Sequence, residues 1–241
     1  MHAKSIALLL SLFILLIPVH AQDALPEITP EPSPLPEPQV VTVDALDGLD
    51  LEADFYLIDP ARPTVLLLHQ MYTNRTSWDP LLLPLIANGY NVLAPDIRGW
   101  GETRGAINWF KALDDVAVWL AWLRDEAQVN PEAIHTIGSS MGSSLAIVSC
   151  ANDELCRSAV AISPGWDYYR VRVDDSITER AVLGIYALND RWPALGVPRM
   201  IEIAPETFVP LSYEGNAHGM DLIEREQETV IVAIIDWLNN H

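Results

Sequence analysis

The chain has 241 residues, half of them hydrophobic, with a formal net charge of −19 at pH 7 and a pI near 4.4. This length suits one domain with a sizeable core. The strong negative charge argues against partners such as nucleic acid or anionic membrane surfaces, because both are polyanions.

The first 39 residues are predicted to lie outside the folded domain. Lys4 precedes an apolar run and a small-residue site ends at Ala21, so residues 1–21 are typical of a secretory signal peptide. An uncleaved membrane anchor is the alternative. Residues 22–39 alternate proline with acidic and small residues, which predicts an extended tether. We therefore expect a secreted protein of the periplasm, cell surface or exterior, with no stable membrane insertion after signal cleavage.

Strands and helices are predicted to alternate along the domain, residues 40–241. Residues 40–58 alternate apolar and polar side chains around Asp47-Gly48, which indicates a β-hairpin. Further strands are predicted at 63–69, 90–95, 133–137, 158–162, 182–188 and 208–213. Helices are predicted at 79–88, 111–127, 141–151 and from Asp221 onward, where Asp221 and Glu224 match a capping box. This order predicts an α/β fold with a mostly parallel, doubly wound sheet, whose sites lie beyond the carboxyl ends of the strands.

The segment GSSMG, residues 138–142, contains the candidate nucleophile. It fits the pattern G-x-S-x-G with Ser140 in the middle, and it lies between a predicted strand and a predicted helix. Such a tight strand-to-helix turn, a nucleophile elbow, holds the middle serine above the sheet. Glycine at the flanking positions avoids collisions with the neighbouring backbone. An ordinary Gly/Ser turn is the alternative interpretation.

A serine hydroxyl needs a general base, and His218 is the best candidate. It follows the last predicted strand in a loop of small residues, whereas His69 begins a different loop and His135 lies within a strand. Asp190 directly follows the strand at 182–188 and can orient the imidazole. A helix N-cap is the structural alternative for Asp190, and Asp167 is a second candidate for the acid.

The oxyanion of a tetrahedral intermediate requires two N–H donors close to the nucleophile. The backbone N–H of Met141 follows Ser140 directly, and the loop at His69-Gln70-Met71 can direct the Met71 N–H toward the same point. We expect these two groups to form the oxyanion hole.

Cys150 and Cys156 are the only cysteines. In an exported protein, an even number of cysteines favours a disulfide bond, and Asn152-Asp153 can supply the turn between them. Two free buried thiols are the alternative. Neither cysteine is near a histidine, so no metal site is indicated.

Taken together, the chain resembles the α/β-hydrolase fold family. The matching segments are LLLHQM (66–71), APDIRGWGET (94–103), GSSMG (138–142), ALND (187–190) and GNAHG (215–219). The resemblance implies an eight-stranded, mostly parallel sheet flanked by helices, a Ser-His-acid triad and an acyl-enzyme mechanism without a cofactor. In this family, Asp96 and Arg98 would brace a loop.

The short segment from Pro164 to Val182 leaves little room for a lid domain. In this respect the chain looks more like the compact dienelactone-hydrolase and small-esterase branches than the lipases with lids. Dienelactone hydrolases use a cysteine nucleophile, so their specific activity is not implied. Gln70 stands where the family commonly has glycine, which affects the shape of the oxyanion hole.

Several aromatic residues follow strands and are candidates for the wall of a substrate pocket. They are Trp100, Trp166 and Trp192, with Tyr168 and Tyr169 extending the set, and Gln70 is a further candidate. Anchoring of the loops is the alternative role for these rings.

The sequence therefore predicts a secreted serine hydrolase that acts on small-molecule carboxylic esters. Thioesterase, amidase, peptidase and acyltransferase reactions use the same groups, since selectivity depends on the shape of the pocket. A non-catalytic binding module is the alternative from another class. Activity should fall in acid, because protonated His218 cannot accept the serine proton. Nothing in the sequence indicates an oligomeric state.

Overall fold

The computed structural model describes residues 35–241, and the predicted signal peptide and most of the predicted tether lie outside them. In chain order the strands are β1 Gln39–Asp44, β2 Asp50–Tyr56, β3 Thr64–Leu68, β4 Asn91–Pro95, β5 Ile134–Ser139, β6 Cys156–Ile162, β7 Asp167–Tyr168, β8 Val171–Arg172, β9 Ala181–Ala187 and β10 Phe208–Tyr213. The α-helices are α1 Asp79–Ala87, α2 Trp109–Asp125, α3 Met141–Ala151, α4 Arg191–Ile203, α5 Met220–Arg225 and α6 Gln227–Asn240.

Eight strands form one sheet in the order β1-β2-β4-β3-β5-β6-β9-β10. The pairings β1–β2 and β2–β4 are antiparallel, and the remaining neighbours are parallel. The sheet is therefore mixed, with the predicted hairpin supplying its antiparallel part. The short ribbon β7–β8 lies in the connection between β6 and β9.

The sheet is covered on both faces, and strand β3 shows how its sequence achieves this. All five of its residues are buried. Leu66 and Leu68 pack in a core cluster with residues of helices α2 and α3, whereas Val65 and Leu67 pack with residues of helices α1 and α6. Because side chains alternate along a strand, a continuous apolar run suits a strand buried on both sides. The carboxyl ends of these parallel strands meet at one edge of the sheet.

Two carboxylate–arginine clusters brace the loop after β4. The Asp96 carboxylate accepts hydrogen bonds from the backbone N–H groups of Arg75 and Glu102, at 2.8 Å each. The Arg75 guanidinium contacts the same carboxylate. Arg98 donates to Asp115, with 2.6 Å between Nε and Oδ2, and contacts Asp47. The Asp96 carboxylate binds backbone N–H groups, and the Arg98 guanidinium binds two carboxylates. This is the structural role expected for Asp96 and Arg98.

A disulfide bond joins Cys150 and Cys156, with 5.2 Å between the two Cα atoms. It connects the end of helix α3 to the beginning of strand β6. Within residues 35–241, no helix combines the length and the apolar character needed to cross a membrane.

The capping box expected at Asp221 does not form. Helix α5 begins one residue earlier, with Gly219 as its N-cap, and its side chains provide no capping hydrogen bond. The chain then breaks at Glu226, and helix α6 follows as a separate helix. Acceptors from other loops bind the first N–H groups of α5 and set its start, as described below.

Strand β10 lies at one edge of the sheet and pairs with β9. The Phe208 N–H points away from β9 and donates to the Ala204 carbonyl. Pro210, two residues further on, occupies the same side of the strand because backbone orientation alternates. Proline has no N–H, so this position leaves no donor on the open side.

Candidate active site

The turn between β5 and α3 holds Ser140 in a left-handed backbone conformation, with φ of 51° and ψ of −117°. A Cβ atom at position 138 would lie 2.0 Å from the Gly142 carbonyl oxygen, and one at position 142 would lie 2.1 Å from the Leu68 oxygen. Glycine is therefore required at both flanking positions. The Ser140 side chain makes no capping bond to helix α3, so its hydroxyl stays available.

His218 connects Ser140 to Asp190. Its Nε2 lies 2.7 Å from Ser140 Oγ, and its Nδ1 lies 2.7 Å from Asp190 Oδ2. With a proton on Nδ1, the ring donates to the carboxylate and accepts from the serine hydroxyl. The three residues come from the ends of β5, β9 and β10, which the parallel topology brings to one edge of the sheet. This geometry suits proton transfer from the serine to the imidazole.

The Asp190 carboxylate is buried, with 6 % of its side chain exposed, whereas 34 % of the His218 side chain is exposed. Asp190 occupies the N-cap position of α4, but its side chain makes no capping hydrogen bond there. Its carboxylate is directed to the imidazole instead. Asp167, the other candidate acid, is exposed and accepts from the Arg170 N–H at 2.7 Å.

A cavity of about 340 Å³ opens beside Ser140 and is lined by Met71, Ser140, Asp167, Tyr168, Tyr169 and Trp192. Met71 and Ser140 thus line the same cavity. Within residues 35–241, the backbone N–H groups of Met71 and Met141 make no hydrogen bond to another backbone group. Both donors therefore remain available for a ligand oxygen.

Tyr168 places a buried phenol beside the nucleophile. Its hydroxyl donates to the Ser163 carbonyl at 3.1 Å. Burial raises the pKa of the phenol well above its usual value, and the negative charge of Asp190 adds to this rise. The phenol therefore stays protonated across the ordinary pH range.

Three of the expected pocket residues do not line the cavity. Trp100 stacks on Trp109 with 5.2 Å between ring centroids. Trp166 packs against Arg199, whose guanidinium carbon lies 4.0 Å from the ring centroid. Gln70 turns its Oε1 toward the Ser139 hydroxyl and the Met220 N–H, at 3.0 Å from each. The fourth candidate, Trp192, does lie on the cavity wall, together with Tyr168 and Tyr169.

The other two domain histidines before the C-terminus have structural positions. His69 is buried, and its Nε2 accepts from the Ile97 N–H at 2.9 Å. His135 is also buried, with its Nδ1 2.9 Å from Ser158 Oγ. Burial lowers the pKa of His69, and it lowers the pKa of His135 to about 4.

Burial of His135 is expected to make the protein less stable in acid. Between about pH 6.5 and 4 the unfolded chain binds a proton at this ring and the folded chain does not, so the free energy of unfolding falls as pH falls. The loss is on the order of 3 kcal/mol. His135→Gln should remove most of it, which urea unfolding at pH 7, 5.5 and 4 would measure. If the free energy of unfolding depended on pH equally steeply in both proteins, the assignment of this loss to His135 would be contradicted. Buried His69 contributes a slope of the same sign that remains in the variant.

Sequence reasoning missed Ser163, which is fully buried and directly follows strand β6. Its Oγ accepts from the Gly219 N–H at 2.8 Å, next to His218. The available signal was its position, since β6 is the neighbour of β5 and ends at the same edge as Ser140. Serine before Pro164-Gly165 looks like an ordinary turn, so its chemistry alone did not distinguish it.

The chain is similar to several known proteins in sequence and in fold. The sequence profile of the alpha/beta hydrolase fold family matches residues 63–192, which is more than half of the chain. The uncharacterized protein YfhR of Salmonella typhi is 29% identical over 211 residues, covering 76% of this chain and 70% of its own.

Solved structures share the fold. The esterase Pf2001 of Pyrococcus furiosus superposes with a TM-score of 0.72 at 21% identity, covering 85% of this chain and 92% of its own. Est1E of Butyrivibrio proteoclasticus, solved with ferulic acid bound, has a TM-score of 0.71 at 16% identity, covering 83% of this chain and 98% of its own.

Proposed function

The chain belongs to the α/β-hydrolase fold family, and on that premise we propose that it is a serine hydrolase of carboxylic esters. The observation that carries the proposal is the continuous chain of hydrogen bonds from Ser140 through His218 to Asp190, at 2.7 Å for each bond. It opens onto a cavity large enough for a small acyl group.

In the proposed reaction, Ser140 Oγ attacks the acyl carbonyl while His218 Nε2 takes the hydroxyl proton. Asp190 keeps Nδ1 protonated and stabilises the imidazolium that forms. The N–H groups of Met71 and Met141 bind the oxyanion of the tetrahedral intermediate. Its collapse breaks the ester C–O bond, and His218 returns the proton to the departing alcohol. Water, deprotonated by the same ring, then attacks the acyl-enzyme and releases the carboxylic acid and free Ser140.

We also propose that the protein works in an extracytoplasmic compartment, as its N-terminal sequence predicts. The disulfide between Cys150 and Cys156 supports this placement, because structural disulfides persist in oxidising environments. The predicted signal peptide lies outside the described residues.

The cavity supports a proposal for the class of substrate. Its walls include Tyr168, Tyr169 and Trp192, and its volume is about 340 Å³. Such a space suits an acyl group of a few carbons or a single aromatic ring, since aromatic walls favour flat apolar groups. The ferulic acid bound to Est1E makes an aryl-acyl ester a reasonable member of the test panel.

We expect short and aryl-acyl esters to be hydrolysed at least about tenfold more efficiently than long-chain esters, because a long chain extends beyond the cavity. The measurement is kcat/KM on p-nitrophenyl acetate, butyrate, cinnamate, octanoate and palmitate. A matched thioester and a p-nitroanilide separate thioesterase and amidase activities from esterase activity. Rising kcat/KM up to palmitate would contradict the size limit. Absence of hydrolysis together with no labelling by a fluorophosphonate probe would contradict the proposed function and favour a binding module.

A further inference from the structure

The residues that directly follow His218 are bound by two side chains from other loops. The Gly219 N–H donates to Ser163 Oγ at 2.8 Å, and the Met220 N–H donates to Gln70 Oε1 at 3.0 Å. Gly219 is the N-cap of helix α5 and Met220 is its first residue, and the helix lacks a capping side chain of its own. The backbone beside the imidazole is therefore held from the loop after β3 and from the loop after β6.

The first acceptor, Ser163, is itself fixed by its surroundings. It is fully buried and has a left-handed backbone with φ of 50°. Its N–H donates to the Ile185 carbonyl at 2.7 Å, and its own carbonyl accepts from the Tyr168 hydroxyl at 3.1 Å. A non-glycine residue in this conformation is strained and persists only where its surroundings hold it.

The second acceptor, Gln70, links the histidine loop to the nucleophile. Its Oε1 also accepts from the Ser139 hydroxyl at 3.0 Å, one residue before Ser140. The contact is close, since a Cβ atom at position 219 would lie 1.9 Å from this oxygen. Only glycine, with φ of 60° here, allows the approach.

We propose that Ser163 and Gln70 are positioning residues that hold the His218 imidazole in line between Ser140 and Asp190. The proposal rests on the proposed function for its catalytic consequence. The need for such residues follows from the exposure of the ring, since 34 % of the His218 side chain faces solvent. The His218 ring is held by its own bonds to Ser140 and Asp190. Beyond these, the fixed backbone at Gly219 and Met220 determines the position of the ring. A displacement of about 1 Å can lower a catalysed rate by about 10²-fold.

The first pair of variants separates positioning from backbone strain at residue 163. Ser163→Gly removes the hydroxyl and relieves the left-handed strain, which opposes the cost of leaving the buried Gly219 N–H without its acceptor, so its melting temperature should stay within a few degrees of that of the wild type. Its kcat should nevertheless fall by about 10- to 100-fold with KM changed by less than about threefold. Ser163→Thr keeps the hydroxyl at a cost in stability, because a β-branched residue disfavours this conformation. It should retain kcat within about threefold of the wild type.

The second pair tests the acceptor on Gln70 without touching residue 163. Gln70→Met keeps the length of the side chain and removes the acceptor, so kcat should fall by about 10-fold or more. Gln70→Glu keeps an acceptor oxygen for the Met220 N–H and the Ser139 hydroxyl. It should retain kcat near about pH 8 within a few-fold, with the acid limb of its pH profile displaced to higher pH by the added negative charge. This pair decides the matter if Ser163→Thr fails to fold.

A readout without substrate keeps the inference distinct from the proposed function. The proton on His218 Nδ1, bound to Asp190, should give a far-downfield proton NMR resonance in the wild type and in Gln70→Glu. It should broaden or vanish in Ser163→Gly and Gln70→Met, because a displaced ring exchanges this proton faster with water. Unchanged resonance and unchanged kcat in those two variants would overturn the inference. If the wild type shows the resonance, the two variants lose it, and no ester is hydrolysed, the positioning role is upheld and the proposed substrate class is contradicted.

Discussion

Ser140→Ala is expected to lower kcat for a p-nitrophenyl ester by about 10⁵- to 10⁶-fold, the scale of loss when a serine hydrolase loses its nucleophile. The residual rate comes from binding and from oxyanion stabilisation by the Met71 and Met141 N–H groups. Labelling by a fluorophosphonate probe should disappear in the same variant. Stability should change little, because alanine keeps the Cβ atom, the Ser140 side chain makes no capping bond, and water can replace its hydroxyl at the partly exposed His218 ring.

The matched control is Ser144→Ala, the same change in the first turn of helix α3. Ser144 is fully buried, and its hydroxyl has no hydrogen-bond partner among residues 35–241. Removing an unbonded hydroxyl leaves no group unsatisfied, so activity and labelling should remain close to those of the wild type. Equal losses in both variants would show that the segment matters for folding and would contradict a nucleophilic role for Ser140.

Asp190→Asn is expected to lower kcat by about 10⁴-fold while KM changes little. The amide can donate to Nδ1, which favours the tautomer whose Nε2 carries the proton, and that ring cannot accept the Ser140 proton. The loss should be greatest near neutral pH. Steady-state kinetics from about pH 6 to 9, together with circular dichroism of the folded variant, would measure it.

Asp236→Asn provides the control for the loss of one negative charge. Asp236 is exposed on helix α6, and its replacement should leave kcat unchanged. A drop of less than about tenfold for Asp190→Asn would contradict its role in orienting the imidazole and would renew interest in Asp167.

Much of the fold is predictable because its sheet is built from continuous apolar segments. The segments at 63–69, 90–95 and 133–137 correspond to β3, β4 and β5, and helix α3 occupies the predicted residues 141–151. Helix α4 was not predicted, since Pro193, Gly196 and Pro198 interrupt the helical pattern. The start of α5 was misplaced for a different reason. Local capping by Asp221 yields to acceptors that tertiary structure brings from Ser163 and Gln70.

The convergence of Ser140, Asp190 and His218 was predictable from their positions after strands of a parallel sheet. The directions of side chains in the loops were not. Trp100 turns toward Trp109, and Trp166 toward Arg199, through contacts between segments far apart in sequence. Glycine at position 196 permits the packing of Trp166 on Arg199, since a Cβ atom there would lie 2.8 Å from the backbone nitrogen of Trp166. The position of a residue after a strand predicts the edge of the sheet at which it lies, but it does not predict the rotamer of its side chain.

Pro210 has a consequence for how concentrated solutions of this protein should behave. A strand at the margin of a sheet can recruit the same strand of another molecule and seed fibrils. Val209, which is 47 % exposed, would favour such stacking through its apolar side chain. The missing donor at position 210 interrupts any continuous ladder that an incoming chain could build there. Pro210→Val would restore that donor, turning a protected margin into a template for aggregation.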